Sequence, residues 1–181
     1  MDQFEAVIGT VLEHKGYWVR RGFKVNLTKA DKKELKNRSM PRPEIDLLAF
    51  KPKENAIIAF EAKSFLNSPG VKSADITNEN LDLPPEGRYK MFTSNKYRGK
   101  VLQQLKKDLI KDGLATKDTK IVLGLIAGNV CTGQEATLAK HMKKKRWEFW
   151  GPSEVKEHVQ KLKKLNYENS PAIIVSKILL R

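Results

Sequence analysis

The sequence predicts an α/β sandwich around a mixed sheet. Apolar periodicities follow in the order helix, strand, strand, strand, helix, strand, helix, strand, helix. Two of the strands are separated only by the polar linker Lys51-Pro52-Lys53-Glu54-Asn55, which reads as a β-hairpin. Both hairpin strands are apolar on both faces, as befits strands in the middle of a sheet covered by helices. A central antiparallel pair in a mixed order argues against an all-parallel doubly wound fold.

Each element has its own local reason. Phe4, Val7, Ile8, Val11 and Leu12 mark a helix over residues 2–15, with Gly16 as its stop. Residues 17–28 are rich in aromatic and β-branched side chains and read as a strand, broken or bulged at Gly22. Residues 29–42 are polar and basic and read as a loop, with some helical character over 31–37. The hairpin strands are EIDLLAF (44–50) and AIIAFEAKSF (56–65). Residues 67–96, with Pro69, Pro84 and Pro85, form the least regular stretch; a loop this long in a compact domain is often functional. Val101, Leu102, Leu105, Leu109 and Ile110 share a helix side over 97–113, and KIVLGLIA (120–127) is the next strand. A helix over 134–145 ends in Lys143-Lys144-Lys145-Arg146, and 147–150 is a short aromatic strand. Pro152 opens a further helix to about Leu165, capped by Ser153 or a neighbour. Residues 171–180 are apolar and fit helix or strand. With no repeat and no dividing linker, residues 1–181 read as one domain: a core over about 1–128 carrying the 67–96 insertion, and a basic αβα extension over 129–181.

Composition narrows the partner. The chain has 181 residues, 40% of them hydrophobic, enough for a core. It carries 35 Lys+Arg against 21 Asp+Glu, a net charge of +14, so a polyanion is expected, with nucleic acid ahead of a membrane surface. No apolar run approaches the roughly 20 residues that span a bilayer. The start Met1-Asp2-Gln3-Phe4-Glu5 is acidic where a signal peptide would be basic, and the single Cys131 forms no internal disulfide; both point to the cytoplasm. His14, His141, His158 and Cys131 lack zinc-ligand spacing, and the glycines at 124, 128 and 133 lack a P-loop ending.

Charge inside apolar strands needs a reason. Asp46 lies in the first hairpin strand, and Glu61 and Lys63 in the second. With Lys53-Glu54 as a two-residue tip, paired positions sum to 107 and Asp46 stands opposite Glu61, on one face with Lys63. A slip of one residue would separate them. Residues 56–66 also contain good helix formers, and in a helix Glu61 and Lys63 would be solvated on different faces. Two opposed carboxylates repel unless a cation sits between them; their oxygens suit Mg²⁺, with Mn²⁺ as a substitute. Such an ion can polarise a phosphodiester oxygen, and an ammonium such as Lys63 can orient the attacking water and stabilise developing charge.

Pro43-Glu44-Ile45-Asp46 followed by Glu61-Ala62-Lys63 resembles the signature of the PD-(D/E)XK phosphodiesterase superfamily, which includes restriction endonucleases, Holliday junction resolvases and repair nucleases. The resemblance implies a restriction-endonuclease-like three-layer sandwich with an αβββαβ core, covering about two-thirds of the chain. It implies Asp46 and Glu61 as metal-binding acids, the Ala62 carbonyl as a further metal ligand and Lys63 as the catalytic lysine. It also implies a glutamate of the first helix near the metal, Glu5 or, less well placed, Glu13, and Gln103 or Gln104 on the helix after the third strand. The sequence departs from the pattern in the two residues between proline and aspartate, which leaves Glu44 ambiguous, and in the length of 67–96. The implied activity is Mg²⁺-dependent endonucleolytic cleavage of double-stranded or branched DNA, with a homodimer as the arrangement that brings two active sites to two strands.

Arg20, Arg21, Lys24, Arg42, Lys143 and Lys144 are the expected phosphate contacts, against the bland reading that each is a solvated charge. Trp147, Phe149 and Trp150 fit buried edge-strand aromatics better than base-stacking platforms. Two further readings compete: a binding or assembly module without turnover on the same fold, and a structural ion pair with lysines serving solubility.

Overall fold

The computed structural model describes residues 2–79 and 83–180. The chain opens with α1 (Gln3–His14), where Asp2 Oδ1 accepts the Phe4 N–H at 3.0 Å and so satisfies one free donor of the first turn. β1 (Trp18–Lys24) follows. The pairs Arg21↔Leu47 and Phe23↔Ile45 keep one register across Gly22, so the expected bulge is absent; Gly22 instead supplies a φ of 61° within a continuous strand. The basic stretch after it contains α2 (Lys29–Glu34), nucleated by a capping box between Thr28 and Asp31.

β2 (Glu44–Lys51) and β3 (Ala56–Lys63) form the hairpin, and their pairs, from Leu47↔Phe60 to Lys51↔Ala56, all sum to 107. The turn differs from the two-residue tip. A 3₁₀ turn over Pro52–Glu54 is closed by Asn55 at φ 46°, so Pro52 and Asn55 belong to the loop. The register survives because that four-residue loop takes up the same positions.

The chain then crosses one sheet face through α3 (Ser73–Thr77), α4 (Lys90–Thr93) and α5 (Asn95–Lys111). It returns in β4 (Lys120–Ala127), parallel to β3. The 67–96 stretch is thus more structured than a loop, although 80–82 lie outside the described residues. Val71 bridges Val130, and Met91 and Phe92 are buried. α6 (Glu135–Lys145) leads to β5 (Glu148–Trp150), parallel to β4. α7 (Pro152–Leu162) starts from Gly151 rather than Ser153, whose N–H and hydroxyl both donate to Glu135. The last apolar segment is a helix, α8 (Pro171–Leu179).

The result is an α/β fold with a five-stranded mixed sheet in the order β1-β2-β3-β4-β5. One face carries α3 to α6 on Leu48, Ile57, Ala59, Leu123 and Leu125; the other carries α1, α7 and α8 on Leu47, Ala49, Phe60 and Ile126. Gly124 lies beside Phe60, where an added β-carbon would come within 2.4 Å of the ring. That ring fills the space a side chain at 124 would occupy, and packs on Trp150 with centroids 5.7 Å apart.

Candidate functional site

The two central strands part at one end. β3 stays paired with β4 through Lys63↔Ala127, whereas its pairs with β2 stop at Leu47↔Phe60. Ile45 packs in the core of one sheet face and Leu47 in that of the other, although alternation would put them together. β2 therefore turns over at Asp46. In the fork so opened, Asp46 Oδ2 accepts the Ala62 N–H at 2.8 Å, taking the place of a strand carbonyl. In a strand, the N–H and C=O of one residue point to the same side, so the Ala62 carbonyl faces the fork as well.

Lys63 bridges the carboxylates, with Nζ 2.5 Å from Glu61 Oε1 and 3.6 Å from Asp46 Oδ2. The three side chains are 17–19% exposed, shielded from bulk solvent yet open to a small ligand. Burial and the Asp46 charge push the Glu61 carboxyl above its ordinary value, against the pull of Lys63. Burial alone would lower Lys63, but Glu61 and Asp46 together outweigh it and hold the ammonium above the ordinary lysine value. Lys63 is thus held as a cation, and Glu61 takes up a proton more readily than an ordinary glutamate.

Glu5 stands on α1 at the rim. Its carboxyl is raised first by burial and next by the Asp46 charge, and Glu61 feels Glu5 in turn. Glu13 is turned away, paired with Arg21 at 2.9 Å. Glu44 is exposed and lies 3.9 Å from Lys24. Gln104 donates to Asp108, which accepts the Asn26 N–H, so this glutamine is committed to a buried junction outside the fork. Gln103 is exposed on α5.

Among the described residues, no three of His, Cys, Asp and Glu gather as a metal-holding group. The donor set at the fork is two carboxylates and one carbonyl. Two carboxylates suit Mg²⁺, which retains much of its hydration and takes only a few protein oxygens. The Lys63 ammonium already lies where opposite charge is needed.

The expected phosphate contacts divide. Arg42 reaches the site, lining a cavity with Glu61. Arg21 is held by Glu13 and packs on Gly9, where a β-carbon would meet its guanidinium. Arg20 stacks on Phe23 at 4.8 Å and faces an apolar cavity at the hairpin end of the sheet. Lys143 and Lys144 lie exposed in the last turn of α6, away from the fork. Trp150 is buried, as an edge-strand aromatic should be.

Arg88, Lys90, Tyr89 and Tyr97, which no pattern in the sequence marks as site residues, are brought beside Glu61 by the irregular segment and α5. Burial, with smaller help from Asp75 and Glu61 and against the pull of Arg88, pushes the Tyr89 phenol up to about 12; burial and then Glu61 raise Tyr97 as well. The nearest thing to a signal is the triplet Arg88-Tyr89-Lys90, two cations around a tyrosine the fold buries. Compared with family models, with curated proteins and with solved structures, the chain matches none of them.

Proposed function

We propose that the chain is a metal-dependent nuclease that hydrolyses DNA phosphodiester bonds at the β2–β3 fork. The observation that carries this reading is the placement of Asp46, the Ala62 carbonyl, Glu61 and Lys63 together where a buried ladder opens. A restriction-endonuclease-like fold is part of the same proposal, and the five-stranded mixed sheet with helices on both faces supports it.

Asp46, Glu61 and the Ala62 carbonyl would hold Mg²⁺, which when bound supplies Lewis acidity toward a phosphodiester oxygen. Asp46 is oriented by the Ala62 N–H, so its position does not depend on a flexible side chain alone. Lys63, kept protonated by its two neighbours, acts as a cation rather than a base: it orients water and stabilises charge developing on the phosphate. Glu5 shapes the field at the rim and can accept a hydrogen bond from water there.

The test is cleavage of supercoiled plasmid and of a four-way DNA junction with Mg²⁺ or Mn²⁺. Wild type is expected to cut, while Asp46→Ala, Glu61→Ala and Lys63→Ala lower the rate by about 10²–10³-fold or more. Equal trace activity in all four proteins would defeat the reading. A binding module without turnover is favoured by one observation, that Lys63 already bridges both acids. It predicts DNA affinity with no metal-dependent product.

A further inference from the structure

Beside Glu61 lies a cavity of about 190 Å³ whose wall carries Arg42, Arg88 and Lys90. They arrive from separate parts of the chain: Arg42 from the lead into β2, Arg88 and Lys90 from the segment that folds back before α5. Two of them are held by aromatic rings rather than by acids. The Arg88 guanidinium lies 5.3 Å from the centre of the Phe65 ring, and Lys90 Nζ lies 5.0 Å from that of Tyr97. Arg42 donates to the amide oxygen of Asn26, at 3.4 Å. Among the described residues none of the three forms an ion pair with a carboxylate, although Glu44 and Glu61 share the cavity. Elsewhere cations such as Arg21, Lys100 and Lys145 are paired with acids.

Three oriented cations without carboxylate partners among the described residues, around one small cavity, make a site for a compact polyoxygen anion. Phosphate fits: arginine presents paired donors to its oxygens and lysine a point charge. We infer that this cavity binds a phosphate of the polynucleotide next to the one attacked at the fork, so that Arg42, Arg88 and Lys90 position the strand on Glu61. The inference deepens the nuclease reading and rests on it for the identity of the anion. The three are positioning residues, since none touches the bond to be broken.

The experiment measures DNA binding by the full chain in EDTA, where no cleavage occurs, over a range of salt. The triple variant R42Q/R88Q/K90Q is compared with K117Q/K156Q/K164Q, which removes the same charge from exposed sites elsewhere. The cavity variant is expected to lose roughly ten-fold or more in affinity beyond the control, with a salt slope shallower by about 1. Equal losses in the two triples would overturn the inference, leaving only net charge at work.

Covalently closed circles, linear duplex with 5′-hydroxyl ends and linear duplex with 5′-phosphate ends separate the two sources of phosphate. Equal dependence on all three identifies an internal diester, and dependence confined to 5′-phosphorylated ends identifies a terminal monoester. Either result supports the cavity. With Mg²⁺ added, the cavity variant should raise KM more than it lowers kcat. A wild type that binds through the cavity but never cuts would sink the nuclease reading and leave the phosphate site standing. A wild type that cuts while both triples bind alike would do the reverse.

Discussion

Lys63 sets the chemistry of the fork at the scale of single residues. Its ammonium is the cation that lets Asp46 and Glu61 share a partly buried space. Replacing it with Met leaves two carboxylates facing each other, one already raised by burial. Lys63→Met is expected to cost about 2 kcal/mol in EDTA, between the values for exposed and buried pairs, as read by urea denaturation. Mg²⁺ should then raise the Tm of Lys63→Met more than that of wild type, since an ion would take over the lost charge. A variant as stable as wild type in EDTA would mean that the pair is not mutually destabilising.

That Asp46, Glu61 and Lys63 come together was legible in the sequence because register in a hairpin is a matter of counting, and the count tolerated a wrong turn type; the direct Asp46–Glu61 pair it implied is absent, since the ladder stops at Leu47↔Phe60 and Asp46 takes the Ala62 N–H instead. Arg88, Lys90 and Tyr97 were not legible. They reach Glu61 through tertiary folding of a segment whose local sequence does not say where it lands.

The helices show the same division between local and long-range signals. α1, α5 and α6 have apolar stripes that announce them, with bounds close to those expected. α2, α3 and α4 have four to six residues each, too few to hold a helix alone, and depend on a capping box or on burial of Ile76, Met91 and Phe92. The contact between α7 and the end of α1 carries a pH prediction. His158 is buried against Trp150, with ring centroids 4.6 Å apart, and is faced by Lys15 Nζ at 3.4 Å and Glu154 at 3.3 Å. Burial, and then Lys15 and Lys161, hold its pKa below the ordinary 6.5. The folded state therefore takes up this proton less readily than the unfolded state. Stability from His158 is complete above about pH 6.5 and declines as the pH falls below it toward the folded value. Thermal denaturation from pH 7.5 to 5 should show a smaller fall in Tm for His158→Gln than for wild type. Part of the slope will remain, because His141 is lowered too, by burial and then by Lys145. Parallel curves would contradict the assignment.

Across the whole molecule, the net charge of +14 takes on a location. Some cations are spent inside the fold: Arg21 on Glu13, and Lys100 on Asp31 and Glu34. Others surround the fork, where two acids lie among apolar strands. The mixed sheet followed from element order and the hairpin, since an antiparallel pair needs only a short turn while parallel neighbours need crossovers. The edge strand expected over 147–150 is there as β5, paired in parallel with β4 at the end of the sheet. It makes the basic extension continuous with the core sheet.

The proposed hydrolysis requires the fork to be a divalent-metal site. Crystals of the wild-type protein soaked in Mn²⁺ and measured at the manganese absorption edge test this most directly. An anomalous peak between Asp46, Glu61 and the Ala62 carbonyl, with Lys63 displaced from between the acids and the peak lost in Glu61→Ala, is the predicted result. Manganese bound elsewhere, with the Lys63 bridge to Asp46 and Glu61 intact, would contradict it.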